Sequence, residues 1–145
     1  MRKVAPISSA WPAALKMTLG LLVLAFFAGA VSLVVQKRQT DVEKTRAAAA
    51  MTGGDPRAGL TAMGRHGCGA CHEVPGLAEA AGRVGPPLDK VATRAFIGGT
   101  LPNQPAAMAQ FIARPQHVQP QGGMPDMPLT PSEARDIAAY LYTLR

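Results

Sequence analysis

Met17 to Val35, MTLGLLVLAFFAGAVSLVV, is a run of 19 residues without a charge. Wound as a helix it rises about 28 Å, close to the hydrocarbon thickness of a bilayer. A chain of 145 residues has too little other apolar mass to surround such a helix in a soluble core. Lys16 and the pair Lys37-Arg38 bracket it. The run is therefore read as a transmembrane anchor. Ala28-Gly29-Ala30 resembles a signal-peptide cleavage site, but Val31 to Val35 carries the apolar run past it, so an uncleaved anchor is expected. Basic residues flank both ends in similar number, and charge alone does not orient the helix.

The anchor divides the chain into a short tail (1–16), the span (17–35), a linker (36–54) and a domain (55–145). Net charge is +6, and its location decides what it means. Residues 1–50 hold seven Lys/Arg against two acids, whereas residues 51–145 hold eight against seven. The basic excess therefore belongs to the anchor region. The domain has no basic stripe and few aromatics, which argues against nucleic acid as a partner. The linker is rich in Gln, Glu, Lys, Arg and Ala, with neither Gly nor Pro before Gly53-Gly54. It reads equally as a helix continuing out of the membrane or as a flexible tether; either way it is expected to hold the domain off the bilayer.

Asp55-Pro56 reads as an N-cap followed by a first-turn proline, opening a helix that runs to about Gly67. Residues 73–104 are rich in Gly and Pro and read as loops. Pro105 to Arg114 reads as a helix with Ala107, Met108, Phe111 and Ile112 on one face, ended by Pro115. Thr130-Pro131-Ser132-Glu133 is a capping box, and Ala134, Ile137, Ala138, Leu141 and Leu144 follow at helical spacing. No run alternates as a strand. The expected fold class is all-α: one transmembrane helix, then a small loop-rich domain. Aromatics make up only 5% of the chain, and a domain this small commonly needs a staple.

Both cysteines lie in Cys68-Gly-Ala-Cys71-His72. A structural zinc site needs four ligands, and only His66 and His117 remain to complete one. A thioredoxin-like pair wants a βαβ context, which is absent. A plain disulfide is possible but leaves His72 without a role. The remaining reading is covalent haem, for which Cys-x-x-Cys-His is the attachment pattern. Cysteines at i and i+3 share one face of a helical turn and can reach two vinyl groups on one porphyrin edge. A histidine directly after can ligate the iron.

From Gly54 to Arg145 the sequence resembles a class I c-type cytochrome. Gly59 and Met63 stand where relatives often carry a glycine and an aromatic, Gly85-Pro86-Pro87-Leu88 matches the Gly-Pro-x-Leu loop, and MPDMPLTPSEARDIAAYL matches the Met-Pro loop and final helix. The resemblance implies one haem c around which the domain folds, with Cys68 and Cys71 as thioethers and His72 as the proximal iron ligand. It implies that the Pro86 carbonyl accepts from the His72 ring. It implies Met124 as sixth ligand, with Met127 and His117 as the other candidates. Arg94 and Asn103 are the implied propionate partners. Met63 departs from an aromatic slot, and Phe111 stands where many relatives have tryptophan, so no indole N–H is offered there.

The resemblance further implies an electron carrier rather than an enzyme, with its haem domain on the periplasmic side of a bacterial inner membrane. The stretch FIGGTLPNQPAAMAQFIARPQ resembles monohaem domains attached to haem–copper terminal oxidases, which makes such a respiratory complex the expected partner alongside the bilayer. The alternative is a haem that loses its methionine and binds a gas or peroxide.

Overall fold

The computed structural model describes residues 12–145; the calls on residues 1–11 of the tail lie outside the described residues. The chain divides into two compact units at Gln39/Thr40. The first is the N-terminal part of helix α1 (Ala13–Thr52), 40 residues long. This helix is long and apolar enough to cross a membrane, and the apolar window is wholly exposed. Threonine hydroxyls along α1 bond back to carbonyls one turn earlier, as Thr18 does to Leu15 and Thr45 to Asp41. The helix ends at Gly53, which takes φ +67 and donates its N–H to the Ala49 carbonyl at 2.8 Å. That left-handed step costs glycine little.

The second unit, Thr40–Arg145, contains the last turns of α1. Ala48 is 0% exposed and belongs to the hydrophobic core. The linker expected to hold the domain away from the bilayer is thus, in its second half, a piece of the domain. Of the four consecutive alanines from Ala47, Ala48 is buried and Ala49 half-buried, while Ala47 and Ala50 are exposed.

Helix α2 (Pro56–Arg65) is opened by Asp55, whose Oδ1 accepts from the Arg57 N–H at 2.8 Å. Its expected end at Gly67 comes two residues early, because Gly67 turns to φ +69 and starts a new 3-10 turn. Helix α5 (Pro131–Thr143) crosses α2. An alanine Cβ at Gly59 would lie 2.0 Å from the Asp136 carbonyl oxygen, and one at Gly54 would lie 2.4 Å from that of Arg135. Only glycines allow backbone to meet backbone here. The Asp55 N–H also donates to Asp136 Oδ1 at 2.8 Å, fixing the register of the crossing.

Helix α3 (Pro105–Ala113) buries Met108 and Ile112 and half-buries Ala107 and Phe111, the face expected from the spacing. Pro115 ends it and also begins a further single-turn helix, α4 (Pro115–Val118), which the sequence did not suggest. The all-α expectation needs one correction. Strands β1 (Phe96–Ile97) and β2 (Leu101–Pro102) form an antiparallel hairpin around Gly98-Gly99. Two residues per strand are too few to alternate, so no period marks them.

The capping box of α5 is present: the Glu133 N–H donates to Thr130 Oγ1 at 3.2 Å, and the Thr130 N–H to Glu133 Oε2 at 2.9 Å. Glu133 Oε1 meets Arg65 at 2.9 Å and His66 at 3.3 Å, tying the end of α2 to the start of α5. The Thr130 N–H and hydroxyl, then His66, pull the Glu133 carboxyl from 4.5 down to about 2. A depressed carboxyl stabilises the fold fully above its ordinary value, and that contribution is lost as pH falls through the folded value. Unfolding followed from pH 5 to 2 should therefore show a smaller acid loss in Glu133→Gln than in the unmodified chain; parallel curves would remove Glu133 from the acid response.

Candidate functional site

Helix α2 delivers the chain to Gly67, and Cys68–Ala70 form a 3-10 turn closed by the Cys71 N–H on the Cys68 carbonyl at 3.3 Å. The His72 N–H shares that carbonyl at 3.0 Å. Both thiols are free; Cys68 is half-buried and Cys71 exposed. Burial, and to a lesser degree the neighbouring Cys71, pushes the Cys68 thiol up, against a backbone hydrogen bond that lowers it.

Residues 82–88 zip along this segment. The Gly82, Gly85 and Leu88 N–H groups donate to Gly69, Cys71 and Glu73 carbonyls at 3.1, 2.8 and 2.9 Å. Arg83 pairs with Glu73 at 3.1 Å. Gly85 is thereby laid against the imidazole of His72; a Cβ there would fall 2.2 Å from Cε1. His72 Nδ1 lies 2.8 Å from the Pro86 carbonyl oxygen. A carbonyl only accepts, so Nδ1 carries a proton, and in the neutral ring the lone pair is on Nε2. The ring is fixed in tautomer and in plane, beside two free thiols.

Arg94 donates through Nη2 to the carbonyls of Pro87 and, at 3.2 Å, Asp89. It buttresses the same loop while Nε and Nη1 stay available. Asn103 behaves differently from the expectation of a propionate donor. Its Nδ2 donates to the Val91 and Arg94 carbonyls at 2.9 and 2.8 Å, and its Oδ1 accepts from the Tyr142 hydroxyl at 2.8 Å. Both amide hydrogens are spent, so Asn103 is a buckle between the loop and α5.

Met124 lies on a separate loop and is half-buried; its carbonyl accepts from Gln116 Nε2 at 2.6 Å. Met127 is half-buried too, and its N–H donates to the Ala113 carbonyl at 3.0 Å. His117 is exposed on α4. Among the described residues no hydrogen bond joins this loop to the Cys68–His72 segment. The structure therefore brings Cys68, Cys71, His72, Pro86 and Arg94 together around one loop and leaves Met124 on another. Sequence reasoning missed Gln116 and Tyr140. The Tyr140 hydroxyl donates to the Pro75 carbonyl and steadies the chain after His72. Tyr140 lies in the stretch matched to the final helix and Gln116 ends the stretch likened to oxidase-linked domains, but no spacing within either stretch marks these two side chains for a role.

An open groove of about 570 Å³ is lined by Asp41, Thr45, Arg57, Leu60 and Tyr140 among others and touches none of these groups. A hollow of about 330 Å³ between Glu73, Val74, Pro75 and Pro87 borders the segment without including His72. The chemistry of the donor set, not cavity size, identifies the site. Among the described residues no three His, Cys, Asp or Glu side chains gather in chelating geometry. Two free thiols one turn apart and an imidazole held with its Nε2 bare do fit a haem attached by thioethers and ligated on one side.

A family model described as cytochrome c matches residues 56–145. No curated protein and no solved structure matches the chain.

Proposed function

The chain belongs to the cytochrome c family, and on that premise we propose that it is a membrane-anchored carrier of single electrons serving a respiratory complex. Domains of this family are characteristically non-catalytic electron carriers, and this one is not an enzyme. Its apolar N-terminal helix is consistent with single-pass membrane anchoring. The anchor is residues 17–35, and the haem domain that follows it faces the periplasm of a bacterial inner membrane.

When bound, haem c supplies an iron that takes up and returns one electron. Cys68 and Cys71 would hold the porphyrin through thioethers. His72 gives its Nδ1–H to Pro86 and would ligate the iron through Nε2; such a partner fixes the ring and raises its basicity. Met124 would supply the second iron ligand, and a Met/His pair raises the potential. Arg94 would pair with a propionate through the N–H groups it does not give to Pro87 and Asp89. The likeness of Phe96–Gln116 to oxidase-linked domains supports a haem–copper terminal oxidase as partner. A tether would replace bulk encounter with a high effective concentration.

The observation that carries this reading is the His72 imidazole, locked by Pro86 and Gly85 beside two free thiols. The test uses the full chain purified from membranes of cells that mature c-type cytochromes. A covalent-haem stain should follow the 15.1 kDa band on a denaturing gel. The reduced protein should not bind carbon monoxide rapidly at neutral pH, and a terminal oxidase should co-purify. An unstained band would end the covalent-haem reading; rapid stoichiometric carbon monoxide binding would favour a ligand-binding role instead.

A further inference from the structure

The loop that carries Met124 has little of its own to hold it: Gln119-Pro120-Gln121-Gly122-Gly123 offers no apolar side chain beyond the exposed Pro120 ring. Ordering such a segment costs conformational entropy that something else must offset. One side chain does most of that fastening. Gln116 Nε2 donates to the Gly122 carbonyl at 2.8 Å and the Met124 carbonyl at 2.6 Å. Its Oε1 accepts from the Gln121 N–H at 3.1 Å. Its own backbone N–H donates to Asp126 Oδ1 at 3.0 Å. Residues 121, 122, 124 and 126 are thus all tied to residue 116.

Two further features show that the loop is held rather than resting. Gln121 takes φ +75, a left-handed backbone that a non-glycine residue adopts only when its surroundings impose it. Pro115, next to Gln116, is among the most deeply buried residues, so the fastening point is itself rooted in the core. On the far side, the Met127 N–H on the Ala113 carbonyl closes the loop against the end of α3.

We infer that Gln116 is a positioning residue for the axial methionine: its carboxamide sets the backbone of Gly122 and Met124 so that the thioether stays on the iron. The inference rests on the reading of Met124 as the sixth ligand. A neutral thioether is a weak donor, so its retention depends on a loop already in the ligating conformation. Each lost hydrogen bond raises the fraction of molecules in which the sulfur is off.

The test is a titration of the ferric, haem-loaded full chain with imidazole, which competes with methionine for the iron. An incoming ligand binds in proportion to the competent fraction. Loss of the carboxamide removes three hydrogen bonds, and Gln116→Leu should bind imidazole about tenfold more tightly. Its methionine-to-iron charge-transfer absorbance should weaken in step. Gln116→Glu keeps the shape and the acceptor for Gln121 but lacks both N–H groups. It should shift the same way, and it stands in if the leucine variant does not mature. Unchanged imidazole affinity in the variants overturns the inference, even if their melting temperature falls. Met124→Ala is read in parallel. If it abolishes the charge-transfer band while the Gln116 variants are silent, only the role of Gln116 falls. If it leaves band and affinity intact, the ligand reading and the inference fall together.

Discussion

Gly59→Ala is expected to unfold the domain at temperatures where the unmodified protein is intact. The new Cβ would sit 2.0 Å from the Asp136 carbonyl oxygen and 2.9 Å from the Ile137 nitrogen. Both are backbone atoms inside α5, so no side-chain rotation can make room. The α2–α5 crossing must open, and it is the crossing that buries Ala62, Met63, Ile137 and Ala138. Overpacking against yielding neighbours costs about 1–3 kcal/mol; here nothing yields, and about 3 kcal/mol or more is expected against a typical total of about 5–15 kcal/mol. For a domain of this size that lowers the melting temperature by about 12 °C or more. Circular dichroism of the haem-loaded chain in detergent measures it. A midpoint within a degree or two of the unmodified protein would mean the helices cross elsewhere.

Gly85→Ala should do the opposite, sparing the fold and damaging the site. Its Cβ would fall 2.2 Å from His72 Cε1 and 2.6 Å from Nδ1. The obstacle is the end of a side chain, so the ring moves and the backbone stays. The cost is the His72–Pro86 hydrogen bond at 2.8 Å and the fixed direction of Nε2. Losing a partner of this kind commonly weakens a metal site by about 10- to 100-fold. The expected result is a near-native melting curve with a spectrum that is no longer purely six-coordinate and with a shifted reduction potential. A native spectrum and potential in Gly85→Ala would show that the loop, not the contact, orients the histidine. Read together, the two glycine variants separate what holds the domain together from what prepares its ligand.

The parts of this protein that were legible in the sequence are those decided within a few residues. The capping box at Thr130, the Asp55-Pro56 start and the buried face of α3 depend on neighbours one turn away, and each is where the spacing puts it. The Cys68–His72 turn is equally local. What could not be read depends on distant partners. Asn103 is a plausible donor until Val91, Arg94 and Tyr142 are seen to occupy it. Gln116 looks like one surface glutamine among several until the loop folds over it. The hairpin at Phe96 is invisible because two residues carry no period.

The family match begins at Pro56, yet the compact unit begins at Thr40 and includes Ala48 at 0% exposure. The chain has therefore lent the tail of its anchor to the interior of the electron-carrying domain. A protease cutting at Gly53-Gly54 would not release a finished globule; it would pull a plug from it. A soluble fragment that retains the native interior has to start upstream, near Thr40, in a segment the sequence assigns to the linker rather than to the domain.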